Sequence, residues 1–109
     1  MPTKRVKPRR KPRLTAPPEH RLSKAQRAMR DAVQQGPRKM AKLAGPLGVW
    51  LHAPAFGDIA QRLGAHCRFH TALPPRLSEF AIIVTARLWR AQYEWQAHAV
   101  LAEDRKSVV

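Results

Sequence analysis

Positions 74–98 read PPRLSEFAIIVTARLWRAQYEWQAH. After the two prolines, Leu77, Phe80, Ala81, Ile82, Ile83, Val84, Ala86 and Leu88 nearly encircle a helix axis, the pattern of a central helix buried on all sides. The β-branched run Ile82-Ile83-Val84-Thr85 also suits a strand, because short apolar runs are ambiguous. The proline start and the length of the segment decide for a helix from Pro75 to about Leu88. A last amphipathic segment, Gln92 to Glu103, brings Tyr93, Trp95, Ala97, Val100 and Leu101.

Upstream of this stretch the signals are also helical. Ser23 with Gln26 three positions on forms a capping-box pattern, followed by Ala25, Ala28, Met29, Ala32 and Val33 at helical spacing. Gly36-Pro37 ends that helix. Leu47, Val49, Trp50 and Leu51, after Gly45-Pro46, make one or two helical turns. Pro54 then opens a helix running towards His70, with Phe56, Ile59, Ala60, Leu63 and Cys67 expected along its core face. The expected fold class is therefore all-α.

The formal charge of +14 over 109 residues is unevenly spread. Residues 1–42 hold 14 Lys or Arg against 2 acids, whereas residues 43–103 hold 5 against 4. Residues 1–20 carry seven basic residues and five prolines without apolar periodicity, so they are expected to form a disordered arm. The same prolines would break the amphipathic helix that a mitochondrial transit peptide requires. No membrane span or secretory signal is visible, and a single cysteine, Cys67, fits a reducing compartment, which points to the cytoplasm.

Glu94 and His98 are four apart, so on a helix they share a face where a carboxylate can orient an imidazole. The alternative is an ordinary helix-surface pair. Glu79 stands in the most apolar helix, where a carboxylate needs a partner. His66 and His70 also share a helix face, but two ligands do not make a metal site and no third is fixed by spacing, so no metal is expected. Cys67, on an apolar face, reads as structural.

The segments GPLGVWLHAP, LPPRLSEFAIIVTAR and YEWQAH occur in that order, and together they span most of residues 22–103. This combination resembles the carboxymuconolactone decarboxylase and alkylhydroperoxidase-D superfamily, with its Gly-Pro segment ending in His-x-Pro, its Arg-x-x-Glu helix and its closing Glu/Cys-x-x-x-His helix. The resemblance implies a helical bundle of the alkylhydroperoxidase-D-like type over residues 21–103, incomplete at the C-terminus. It places the superfamily Glu on Glu79 and the His on His98. The two cysteines of the peroxidase branch fall on Ala91 and Glu94, so the thiol relay is missing and peroxide reduction by that route is disfavoured.

What the resemblance implies instead is a thiol-free, cofactor-free acid/base lyase acting on a small organic acid or lactone, with Glu79, Glu94 and His98 as catalytic residues. His52, Arg76, Tyr93 and Trp95 are expected at the substrate, and Arg87 is a further candidate for its carboxylates. His52 could equally cap its short helix, and Tyr93 and Trp95, like Trp50 and Trp89, also read as core or subunit-interface aromatics. The expected partners are a small-molecule substrate and further copies of the chain in a homo-oligomer, with neither nucleic acid nor membrane. The alternatives are a peroxiredoxin-like antioxidant and a polyanion binder using the basic arm, for which there is neither aromatic interleaving nor a binding motif. Residues 104–109, DRKSVV, look like what GAT-CGG-AAG-AGC-GTC-GTG, a common sequencing-adapter sequence, would encode, and are expected to be a non-native tail, the alternative being a genuine hydrophilic one.

Overall fold

Ser23 begins the ordered helices with the reciprocal cap its sequence announces. Its hydroxyl accepts from the Gln26 amide at 3.2 Å, and its own N–H donates to the Gln26 side chain at 2.8 Å. The computed structural model describes residues 11–105, with side chains to Asp104. Among these the elements are a 3-10 turn at Glu19–Arg21 and helices α1 (Lys24–Gln35), α2 (Pro46–Trp50), α3 (Pro54–Phe69), α4 (Pro75–Leu88) and α5 (Gln92–Arg105), with no strand. The fold is all-α, and the β-branched run in α4 is helical.

The core is formed by α1, α2 and their flanking loops. Leu22, Met29, Val33, Leu43, Leu47 and Leu51 are buried together, with Trp50 packed against them. Of the expected α1 face, Met29 and Val33 are buried, while Ala25, Ala28 and Ala32 stay exposed. Gln26 ties α1 to α2 by donating to the Leu51 carbonyl at 2.9 Å. Gly57 lets α3 press onto this core, since a Cβ there would stand 2.6 Å from the Trp50 carbonyl and 2.8 Å from the Met29 sulfur.

Two expectations about burial are corrected. The apolar stripe of α3 does not face the core: Phe56, Ile59 and Leu63 are 62%, 64% and 65% exposed, and Cys67 is exposed. The small and polar face, Gly57, Gln61 and Ala65, is buried instead. Close approach through Gly57 and the hydrogen bonds of Gln61 decide that orientation. Nor is α4 buried all round. Its buried residues are Ser78, Glu79 and Ala86, whereas Phe80, Val84 and Leu88 are exposed. α5 covers one side of α4, α3 touches it more lightly, and no other helix among the described residues packs on it.

Part of the expected arm lies among the described residues. Residues 1–10 lie outside the described residues, but Ala16 packs against the core, the Thr15 carbonyl pairs with His52 at 2.6 Å, and Glu19 forms an ion pair with Arg30. Prolines disfavour a helix here without preventing an extended chain from packing. At the other end α5 continues through Asp104 and Arg105, the first two positions of the segment expected as a tail, and residues 106–109 lie outside the described residues.

Candidate functional site

The α4–α5 turn sets the site's geometry. Arg90 takes a left-handed conformation, φ 52°, and the Ala91 and Arg90 amides donate to the Ala86 and Arg87 carbonyls at 2.8 and 3.2 Å, a Schellman closure of α4. α5 then runs back along α4, and its Glu94 and His98 come to lie beside Glu79. At the other end of α4 the Ser78 hydroxyl donates to the Arg68 carbonyl at 3.2 Å, fixing the C-terminus of α3 there. Tyr93 lies over Gly45, whose φ of 58° and missing Cβ leave room for the ring.

These contacts converge on one carboxylate. Glu79 is 3% exposed. Its Oε2 pairs with His98 Nδ1 at 2.7 Å, and its Oε1 accepts from Arg68 Nε at 3.3 Å. The second imidazole nitrogen, His98 Nε2, faces Glu94 Oε2 at 3.4 Å. A buried carboxylate between a guanidinium and an imidazole meets the requirement that buried charge be paired. No buried side-chain nitrogen or oxygen among the described residues lacks a partner.

The arrangement has a chemical consequence. With the Glu79 carboxylate ionised, His98 Nδ1 carries a proton and donates, so the neutral ring keeps its lone pair on Nε2. Glu79 thereby selects the tautomer and fixes the ring plane. In the imidazolium form Nε2–H donates towards Glu94. One ring nitrogen is thus held and the other is set up for proton transfer.

The structure therefore brings Glu79, Glu94 and His98 together. It does not bring the other sequence candidates to them. His52 is exposed and holds the Thr15 carbonyl, Arg76 is exposed on the first turn of α4, and Tyr93 covers Gly45. Trp95 lines an open cleft of about 410 Å³ at the α4–α5 turn, with Ala86, Arg87, Arg90, Ala91 and Gln92. On α4 that cleft begins at Ala86, two helical turns or about 10 Å from Glu79, so it does not surround the imidazole. His66 and His70 stand with ring centroids 6.5 Å apart, and the described residues contain no cluster of three or more His, Cys, Asp or Glu that could hold a metal ion.

Sequence reasoning missed Arg68, Ser78 and Arg38. Arg38, in the α1–α2 loop, lies on α3 and donates to the Gln61 side chain and carbonyl, each at 3.1 Å. Burial first, and then the neighbouring Arg68 guanidinium, hold the Arg38 pKa below its ordinary value. The one available signal was Glu79 itself, a carboxylate in an apolar helix that required a cation. Spacing could not say which arginine would meet it. Comparison of the chain with models of protein families, with curated proteins and with solved structures finds no match.

Proposed function

We propose that this chain is a thiol-free, cofactor-free acid/base protein of the carboxymuconolactone decarboxylase-like kind, in which His98, oriented by Glu79, exchanges a proton with a small organic acid or lactone. The observation that carries the reading is the 2.7 Å contact between His98 Nδ1 and the buried Glu79 carboxylate, itself held by Arg68. The family assignment rests on the order of the three sequence motifs.

In the proposed reaction the bond to the departing carboxylate breaks as carbon dioxide leaves. Its electron pair remains on the adjacent carbon as an enolate, and His98 Nε2–H delivers the proton to that carbon. The neutral imidazole keeps its Nδ1 proton on Glu79, and Glu94, beside Nε2, returns the spent proton from solvent. A positioned general acid contributes about 10²- to 10⁴-fold, so the substrate's acid groups must be bound by further residues.

Further copies of the chain are part of this reading, supported by the exposed apolar stripes of α3 and α4. The cytoplasm is the proposed compartment, on the strength of the lone Cys67. None of the helices among the described residues is long and apolar enough to cross a membrane.

The test is turnover of a panel of lactone acids, with carbon dioxide release and exchange of the α-proton in deuterated water as readouts. His98→Gln is expected to lose about 10²- to 10⁴-fold in both. Equal rates in His98→Gln and the unaltered chain, or no turnover and no exchange with any member of the panel, would remove the proposal.

A further inference from the structure

Arg38 and Arg68 are two part-buried cations without enough carboxylate between them. Arg38 spends two N–H donors on Gln61, whose own amide donates to Asp58 at 3.2 Å. Its Nη2 lies 2.9 Å from where a Cβ on Gly64 would stand, so the guanidinium occupies the space that this glycine leaves open. Gly64 is four residues before Arg68 and therefore lies one turn away on the same helix face. Arg68 spends its Nε on Glu79 at 3.3 Å, and its side chain is 24% exposed.

Each guanidinium has five donors in a planar fork. Among the described residues Arg38 donates twice to Gln61 and Arg68 once to Glu79, with the Arg68 guanidinium 4.7 Å over the Phe69 ring, so each fork keeps donors that no carboxylate of these residues takes. The nearby acids are already engaged: Asp58 by Arg62 and Gln61, Glu79 by Arg68 and His98, and Glu94 by His98. None of them neutralises Arg38. Two adjacent guanidiniums partly withdrawn from water repel each other, and burial and that repulsion both weaken Arg38's hold on its proton. A carboxylate bridging the forks would relieve both costs through charge-assisted, bidentate hydrogen bonds.

We infer that Arg38 and Arg68 together form a carboxylate-binding subsite that holds the acid group of a small organic acid beside His98. The inference rests on the acid/base reading above for the identity of its ligand. Arg68 and His98 share the two oxygens of Glu79, so an acid group docked on Arg68 is set next to the imidazole. This assigns substrate anchoring to the α1–α2 loop and the end of α3, in place of Arg76 and Arg87.

The experiment uses the full chain and succinate as the probe, at constant ionic strength because the basic chain attracts anions diffusely. Binding is followed by the arginine Nε–Hε resonances and by the shift in melting temperature. Arg38→Gln is expected to weaken succinate at least 10-fold, and Arg38→Lys, which keeps the charge and loses the fork, by a comparable factor. Arg21→Gln and Lys24→Gln, exposed cations elsewhere, are expected to change binding less than twofold. Helical circular dichroism selects which Arg38 variant is read, should one of them unfold. Non-saturable binding, equal losses in Arg21→Gln and Lys24→Gln, an Arg38→Lys that binds like the unaltered chain, or loss confined to Arg76→Gln would each overturn the subsite. Retained binding together with unchanged turnover in His98→Gln would overturn the acid/base reading and leave the subsite standing.

Discussion

The Glu79 carboxylate meets the His98 imidazole at 2.7 Å across a sequence separation of 19 residues, and the pair joins the first half of α4 to the middle of α5. Removing one partner of a buried pair leaves the others uncompensated, at about 3–5 kcal/mol. Glu79→Ala is therefore expected to lower stability by about 3 kcal/mol, towards the small end because Arg68 can reach water. Thermal denaturation reads this as a drop of more than about 10 °C for a domain of this size. A change under about 2 °C would mean the pair does not hold the hairpin.

Tyr93 over Gly45 ties α5 to the loop that precedes α2. A Cβ at position 45 would overlap the Tyr93 ring and would also sit at φ 58° and ψ −136°, a sparsely populated conformation that costs a residue with a side chain roughly 1–3 kcal/mol by itself. Gly45→Ala should therefore destabilise by more than 2 kcal/mol, on the order of the conformational term plus the overlap. In a Tyr93→Ala background the same change should cost only about the conformational term. Equal costs in both backgrounds would show that the ring does not rest on the glycine.

Arg90 offers the opposite kind of test. It occupies the left-handed position of a Schellman closure, where glycine is the usual residue. Arg90→Gly should raise stability by about 1 kcal/mol, seen as a higher melting temperature. A lower one would indicate that the arginine side chain makes a compensating contact at the cleft it lines.

Much of the fold was legible because its signals are local. Ser23 with Gln26, Pro54 and the Pro74-Pro75 pair mark helix starts through chemistry acting within one turn, and the structure has helices there. The facing of α3 was not legible. Periodicity finds a stripe, Phe56-Ile59-Leu63, but cannot say that a stripe is turned outward when Gly57 allows a closer approach on the opposite side. In the site, the four-residue spacing of Glu94 and His98 and the isolation of Glu79 among apolar residues were visible. Arg68 and Arg38 were not, because their role depends on which loop lies across α3, a tertiary fact with no sequence period.

The outward stripes carry the last prediction. Phe56, Ile59 and Leu63 on α3 follow an i, i+3, i+7 spacing, and Leu77, Phe80, Val84 and Leu88 on α4 extend the same pattern, all of them exposed. Fully burying one such side chain is worth about 1.5–3 kcal/mol, and a soluble monomer rarely leaves more than a few hundred Å² of apolar surface together. The opposing charge is small, since residues 43–103 hold 5 basic residues against 4 acids, so like-charge repulsion does not keep two copies of these helices apart. The chain should therefore self-associate in a concentration-dependent way and bind an apolar dye. Leu63→Ser with Phe80→Ser, both at exposed positions, should weaken association at least 10-fold while leaving helical circular dichroism unchanged, a shift of about 1.4 kcal/mol or more. Sedimentation velocity over a concentration series, with dye fluorescence alongside, separates the outcomes: an unaltered chain that stays monomeric and dye-free at its highest soluble concentration would show that these stripes are an ordinary solvated surface and need no partner.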